Sequence, residues 1–100
     1  MIFGLDQKTV DRINGVLAAF PQIKKAVIYG SRAKGNFENG SDIDITFEGS
    51  DLTLEIMNRI DLGLDELMLP YTFDLSICSH IDNTDLLDHI KRVGRVFYQQ

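Results

Sequence analysis

The chain has 100 residues, 44% of them hydrophobic and 25% charged, which predicts one ordinary globular domain spanning residues 1–100. Its formal net charge of −5 repels other polyanions, so direct nucleic-acid binding is not expected. No apolar run reaches the roughly 20 residues of a membrane span, and no secretory signal pattern is present. The single Cys78 cannot form an internal disulfide, so we expect a cytoplasmic protein without membrane contacts.

The first third of the chain predicts a helix followed by a strand. Apolar residues recur at helical spacing over 10–20, with Asp6 as a candidate N-cap and Pro21 just beyond the end. Residues 25–29 are mainly β-branched, small or aromatic and indicate a strand. The segment 30–40 is rich in Gly, Ser and Asn, which predicts an irregular connection with room for one helical turn at its start.

Two later segments alternate strictly between polar and apolar residues. Over 42–48, Asp42 and Asp44 fall on one face and isoleucine and phenylalanine residues fall on the other. Over 72–78 the pattern repeats, with Asp74 on the polar face. Both segments are therefore predicted to be strands with one buried face and one polar face.

Helical spacing separates and follows these two strands. Residues 52–67 predict a helix capped by Ser50 or Asp51, and 85–93 predict a last helix before a short edge strand over 96–98. The middle helix is long enough for a crossover, so the strands it joins are expected to be parallel, with adjacent pairing left open. The predicted fold class is a small mixed α/β (α+β) domain with three to four strands and flanking helices.

Parallel pairing would bring three carboxylates, those of Asp42, Asp44 and Asp74, level on one polar face. Such a gathering of like charges must either raise a pKa or bind cations, and hard oxygen ligands suit Mg²⁺. Two Mg²⁺ ions about 3.5–4 Å apart could clamp an in-line phosphoryl displacement. In that arrangement Asp42 and Asp44 bridge the ions, and Asp74 holds the metal that activates an acceptor hydroxyl and serves as general base.

The connection after the first strand carries the candidate phosphate-binding residues. Gly30 permits close backbone approach, and Ser31 offers a hydroxyl and an amide to a triphosphate oxygen. Arg32 and Lys34 add positive charge, although each is also expected as a solvated surface charge. Ser41 is placed to cap or orient the start of the second strand. These residues predict a nucleoside triphosphate beside the carboxylates.

The motif as a whole resembles a known family. Gly30-Ser31, ten intervening residues and Asp42-Ile43-Asp44, within GSRAKGNFENGSDIDI, are similar to the signature of the DNA polymerase β-like nucleotidyltransferase superfamily. The sequence most resembles its minimal members, the MNT proteins. The likeness extends to the N-terminal helix, to FDLSI around Asp74 and to the closing IKRVGRVFY. It therefore covers nearly the whole chain.

This resemblance implies a nucleotidyltransferase fold that binds Mg²⁺ and ATP or another nucleoside triphosphate. It also implies transfer of a nucleoside monophosphate, with AMP from ATP as the first candidate, to an acceptor hydroxyl. It carries the family roles to Gly30, Ser31, Asp42, Asp44 and Asp74. Minimal members commonly pair with a helical HEPN protein, and the MntA-type antitoxin neutralises that toxin, in some cases by adenylylating its tyrosine. In one departure, Lys34 stands where the family frequently has Arg, which retains the charge and loses a bidentate contact.

Two other functions remain open at this point. The site could be idle, with the domain neutralising a helical partner by binding alone. The chain could also be the catalytic lobe of a small-molecule, antibiotic-modifying nucleotidyltransferase, although 100 residues leave little surface for a deep acceptor pocket. The acceptor is therefore expected on another chain, in a homo-oligomer or a hetero-complex.

Several polar residues have a structural interpretation. His89 shows no ligand spacing and is assigned to structure or solvent. Tyr29, Tyr71 and Tyr98 are expected to pack with a polar tip, although one of them, which the sequence does not identify, could stack a nucleobase. The basic residues Lys91, Arg92 and Arg95 are assigned first to the dipole of the last helix and only second to a phosphate or partner contact.

Overall fold

The computed structural model describes residues 2–38 and 40–100, which form four α-helices and one four-stranded sheet. The elements in chain order are α1 (Gln7–Leu17), β1 (Ile23–Tyr29), α2 (Gly30–Lys34), β2 (Ile43–Gly49), α3 (Leu54–Asp65), β3 (Phe73–Ile77), a 3₁₀ turn (Cys78–His80), α4 (Thr84–Val93) and β4 (Arg95–Gln99). The strand order in the sheet is β3-β2-β1-β4. The predicted mixed α/β class is confirmed, and the short final strand pairs with β1 at an edge of the sheet.

Strand directions follow from the connections. β2 and β3 are parallel, as predicted from the crossover helix α3 between them, and they are direct neighbours in the sheet. β1 is antiparallel to both β2 and β4. The two strands that carry the aspartates thus begin at the same end of the sheet.

The first helix begins where its sequence predicts. The Asp6 carboxylate accepts a hydrogen bond from the backbone N–H of Thr9 at 2.7 Å, which caps the helix. Val10, Ile13 and Leu17 are buried at helical spacing. The helix ends at Leu17, three residues before the predicted end.

The cap of α3 differs from the prediction. Thr53, not Ser50 or Asp51, is the N-cap, and its hydroxyl accepts a hydrogen bond from the N–H of Ile56 at 3.2 Å. Asp51 has a φ of 60°, a left-handed conformation, whereas an N-cap residue is normally extended. The helix is therefore shorter at both ends than the apolar spacing over 52–67 indicates.

The hydrophobic core lies on one face of the sheet. Helices α1 and α3 cover this face, and Ile43, Ile45 and Phe47 of β2 are fully buried there. Helix α4 contributes no residue to this cluster. It instead lies over the opposite face, where a Cβ added to Gly94 would contact both α4 and Val27. Among the described residues, no helix is both long and apolar enough to cross a membrane.

Candidate active site

Asp44 and Asp74 are direct register partners in the parallel pair β2 and β3. Neighbouring strands lie about 4.8 Å apart, and register partners project from the same side of a sheet. Asp42 lies two residues before Asp44, immediately before β2, and is exposed. Asp44 and Asp74 thus lie side by side at the start of both strands, on the face opposite the core, as the predicted parallel pairing requires, and the charge of Asp42 acts on Asp44 from the residue just before the strand.

The electrostatics of Asp44 reflect this crowding. Burial raises the pKa of the Asp44 carboxyl, the negative charges of Asp74 and Asp42 raise it further, and His89 opposes the shift. The ionised carboxylate is therefore destabilised where it stands. A bound cation would relieve that destabilisation, and carboxylate oxygens are the donors that Mg²⁺ prefers.

The carboxylates do not enclose a metal by themselves. Within residues 2–38 and 40–100, no three His, Cys, Asp or Glu side chains are grouped closely enough to hold an ion. Mg²⁺ usually keeps several waters and binds through one or two carboxylates together with substrate phosphates. The donor set therefore fits a metal that arrives with a nucleotide better than a metal held permanently by the protein.

Gly30 lies directly against the Asp44 carboxylate. Its φ of +74° is in the left-handed region, and an added Cβ would collide with Oδ2 of Asp44. Its backbone N–H donates to Nε2 of His89 at 3.1 Å. Glycine is therefore required here for two independent reasons, backbone conformation and space, and helix α4 holds the turn in place.

Ser31 and Lys34 lie in the short helix α2, where the sequence left room for a helical turn. Ser31 is half-buried, and its carbonyl accepts from the N–H of Gly35 at 2.9 Å. Lys34 is exposed in the last turn. Ser31 follows Gly30 and is thus beside the carboxylates, while phosphate binding by either residue remains a prediction.

Arg32 has a different environment from the one expected. It is only 3% exposed, so the expectation of a solvated surface charge is wrong for this residue. Its Nε and Nη2 donate to the carbonyl of Ser41 at 3.1 and 2.9 Å, and Nη1 donates to the carbonyl of Phe3 at 2.9 Å. The guanidinium also lies 5.2 Å from the ring centre of Phe37 and 4.9 Å from that of Tyr71. Only the planar guanidinium of Arg can donate these hydrogen bonds while it lies beside two aromatic rings. The hydrogen bonds of Arg32 are therefore made to the protein itself.

Ser41 shapes the turn that leads into β2. Its hydroxyl accepts from the N–H of Glu38 at 2.9 Å, and its own N–H donates to the carbonyl of Glu38 at 3.0 Å. Its carbonyl is held by Arg32. These contacts fit the predicted orienting role at the start of the strand, because Asp42 is the next residue.

Two residues at the site, Tyr29 and His89, were not predicted from the sequence to contact the carboxylates or the Gly30 turn. Tyr29 is the register partner of Asp44, and burial raises the pKa of its phenol, with the charges of Asp74 and Asp44 adding to the effect. Its ring meets that of His89 edge to face, with centroids 6.2 Å apart. The position of Tyr29 directly before Gly30 could have indicated that it lies at the site. No sequence signal could have indicated this for His89, because it lies 59 residues from Gly30.

Comparison with known proteins supports the same fold. Residues 11–100 match the family model described as "Polymerase beta, Nucleotidyltransferase". A toxin–antitoxin structure with AMP-PNP aligns with a TM-score of 0.71 and 18% identity, covering 96% of this chain and 75% of that one. A tri-AMPylated Shewanella oneidensis HEPN toxin in complex with MNT antitoxin gives a TM-score of 0.70 and 18% identity, with 96% and 74% covered. No curated protein matches significantly. At these identities the structural likeness shows a polymerase β-like nucleotidyltransferase fold.

Proposed function

Because this chain belongs to the polymerase beta nucleotidyltransferase family, we propose that it transfers AMP from ATP to a hydroxyl group in a Mg²⁺-dependent reaction. The observation that carries the proposal is the pairing of Asp44 with Asp74 directly beside Gly30. This pairing places two carboxylates next to a turn at which a backbone can approach phosphate. Family membership and geometry therefore point to the same end of the sheet.

The carboxylates have separate roles in the proposed reaction. Asp42 and Asp44 would hold Mg²⁺ against the triphosphate, and Asp74 would hold Mg²⁺ on the acceptor side. When bound, the metal supplies charge neutralisation of the phosphate oxygens and orientation of the reacting groups. Asp74 is exposed, so an acceptor can reach it from solvent.

The chemical step is a displacement at the α-phosphorus. The acceptor hydroxyl oxygen forms a bond to this phosphorus, the bond to the bridging oxygen breaks, and pyrophosphate leaves with that electron pair. Asp74 accepts the proton of the hydroxyl as general base. Ser31 and Lys34 contact the phosphates that leave, and the glycine at position 30 keeps the approach to Asp44 open.

We further propose that the acceptor is a tyrosine hydroxyl of a HEPN-type helical protein, so that the chain acts as an antitoxin. The support is the likeness to structures of toxin–antitoxin complexes, one with AMP-PNP and one with an AMPylated HEPN toxin. The exposure of Asp42 and Asp74 also suits a bulky protein acceptor. A hetero-complex of the two proteins is expected.

Transfer of labelled AMP tests this proposal. The protein is incubated with α-labelled ATP, Mg²⁺ and a candidate HEPN-type partner, in parallel with the double variant Asp42→Asn plus Asp44→Asn. Labelling should fall about 1,000-fold in this variant, since a bound metal contributes several kcal/mol and each 1.36 kcal/mol is tenfold in rate. The control variant Asp65→Asn plus Glu66→Gln changes two exposed carboxylates at the C-terminal end of α3 and should label normally.

The same measurement separates catalysis from simple blocking. If the wild type and the Asp42/Asp44 variant neutralise the toxin equally, and the toxin carries no label in either reaction, the domain acts by binding alone. Label on a small molecule and none on the protein would assign the acceptor to the antibiotic-modifying class instead.

A further inference from the structure

A groove of ≈ 480 Å³ opens beside α4 on the same sheet face as the carboxylates. Its apolar lining comes from Val27 of β1, Leu87 and Ile90 of α4, and Val96 of β4. Val96 is 51% exposed, a high value for a valine in a strand. We call this feature the α4 groove, defined by these four residues.

Positive charges border the α4 groove. Lys25 lines it but pairs with Glu48 at 3.5 Å. Lys91 and Arg95 also line it, and within residues 2–38 and 40–100 neither has a carboxylate partner. Nη1 of Arg95 donates to the carbonyls of Val93 and Gly94 at the end of α4, at 3.3 and 3.1 Å, as predicted for the helix dipole, but these neutral oxygens leave its charge without a counter-ion. Two such cations beside an apolar surface contrast with a net charge of −5 for the whole chain. The groove is therefore complementary to an acidic and amphipathic ligand.

The α4 groove lies in line with the carboxylates. Glu48 at its border and Asp44 are on the same strand and the same face, four residues apart. At about 3.3 Å per residue, their separation is about 13 Å. A protein bound in the groove would therefore lie within about two and a half helical turns of Asp44 and Asp74.

We infer that the α4 groove binds an amphipathic helix with acidic side chains, carried by the protein that offers the acceptor hydroxyl. Apolar side chains of that helix enter between α4 and β4, and its carboxylates meet Lys91 and Arg95. The inference rests on the proposed function, because the acceptor is there a second protein. It adds the surface that presents this acceptor to the carboxylates, about 13 Å away.

Binding of the HEPN-type protein, measured by calorimetry, tests the inference with two independent variants. Val96→Asp places a charge in the apolar groove, and Lys91→Glu reverses a charge at its border. Each should weaken binding at least about tenfold, as expected for changes that desolvate or repel a charge in an interface. The controls are Leu62→Asp, at a position of α3 that is 61% exposed, and Lys8→Glu on α1, and both should bind as the wild type does.

Salt dependence provides a second measurement. Wild-type affinity should fall as NaCl is raised, because exposed charge pairs are screened, and Lys91→Glu should flatten this dependence. Wild-type affinity in both groove variants, or loss in Leu62→Asp instead, would overturn the inference. It would be overturned equally if Lys91 were needed to bind an RNA oligonucleotide and not to bind the HEPN-type protein.

The variant Asp42→Asn plus Asp44→Asn distinguishes this inference from the proposed function. It should bind the HEPN-type protein as tightly as the wild type and transfer no label. If the wild type binds the partner tightly through the groove but transfers no label, the transferase proposal is refuted and the groove inference is supported. If both groove variants label the partner normally, the groove inference is refuted and the transferase proposal is supported.

Discussion

The two faces of β2 differ in burial and in charge. On one face Ile43, Ile45 and Phe47 are fully buried against α1 and α3. On the other face Asp44 is partly exposed beside Asp74, and its pKa is raised by burial and by neighbouring negative charge. Neighbouring residues of one strand thus differ in their effect, because Ile43 and Ile45 stabilise the fold and the ionised Asp44 between them opposes it. Asp44 therefore has a role in binding and contributes little to stability.

The backbone next to the acidic face is held by side-chain hydrogen bonds. Among its described residues, the loop that leads to Asp42 contributes no buried apolar side chain to the core, and Arg32 holds this loop through the carbonyl of Ser41. Gly30 is held from the other side by His89. On the acidic face, hydrogen bonds from polar side chains therefore hold the backbone in position, whereas close packing of apolar side chains holds it on the core face.

The largest effect on stability is expected on the core face. Phe47→Ala should reduce the free energy of unfolding by about 3–5 kcal/mol, because it removes a fully buried ring and leaves a cavity. Urea denaturation followed by circular dichroism measures the change. Leu62→Ala, at an exposed position of α3, serves as control and should change stability by less than about 0.5 kcal/mol. Similar losses for both variants would contradict the assignment of Phe47 to the buried core.

A smaller effect is expected for Arg32. Arg32→Lys keeps the charge but cannot form the fork to Ser41 together with the bond to Phe3, so a loss of about 2 kcal/mol is expected. Arg59→Lys, in an exposed pair with Glu55, is the matched control and should be close to neutral. A neutral Arg32→Lys variant would show that the loop does not depend on this contact.

The smallest effect has the opposite sign. Asp44→Asn should raise the free energy of unfolding slightly, by less than about 1 kcal/mol, because the carboxylate is only partly buried and water screens its neighbours. The folded pKa of Asp44 lies above the ordinary aspartate value of 3.8, so the native state holds the proton more tightly. Wild-type stability therefore falls relative to the variant as pH rises from 3.8 through the folded pKa.

Thermal unfolding of both proteins from acidic to neutral pH measures this difference. The two should be equally stable below pH 3.8, where the carboxyl is protonated in both states, diverge as the pH rises from 3.8 through the folded pKa, and keep a constant difference above it. Mg²⁺ with a non-hydrolysable ATP analogue should then stabilise the wild type more than the variant by mass action. A variant that is less stable than the wild type at neutral pH would refute the electrostatic account.

Local patterns in the sequence determined most of the fold and the centre of the site. Alternation predicted β2 and β3, and helical spacing predicted a crossover between them. Together they predicted parallel strands whose aspartates would lie level if the strands were adjacent, and the structure shows that they are adjacent with Asp44 opposite Asp74. These signals are local because each depends on a period of two or 3.6 residues. The cap at Thr53 was missed because three neighbouring polar residues could each cap a helix and only the backbone path selects one.

Tertiary structure alone decided which polar side chains surround the carboxylates. Arg32 reaches Phe3, 29 residues away, and His89 reaches Gly30, 59 residues away. No local period encodes such contacts, since they exist only after the sheet and α4 have assembled. For the same reason the α4 groove, formed by two strands and a helix from both halves of the chain, could not be predicted from the sequence.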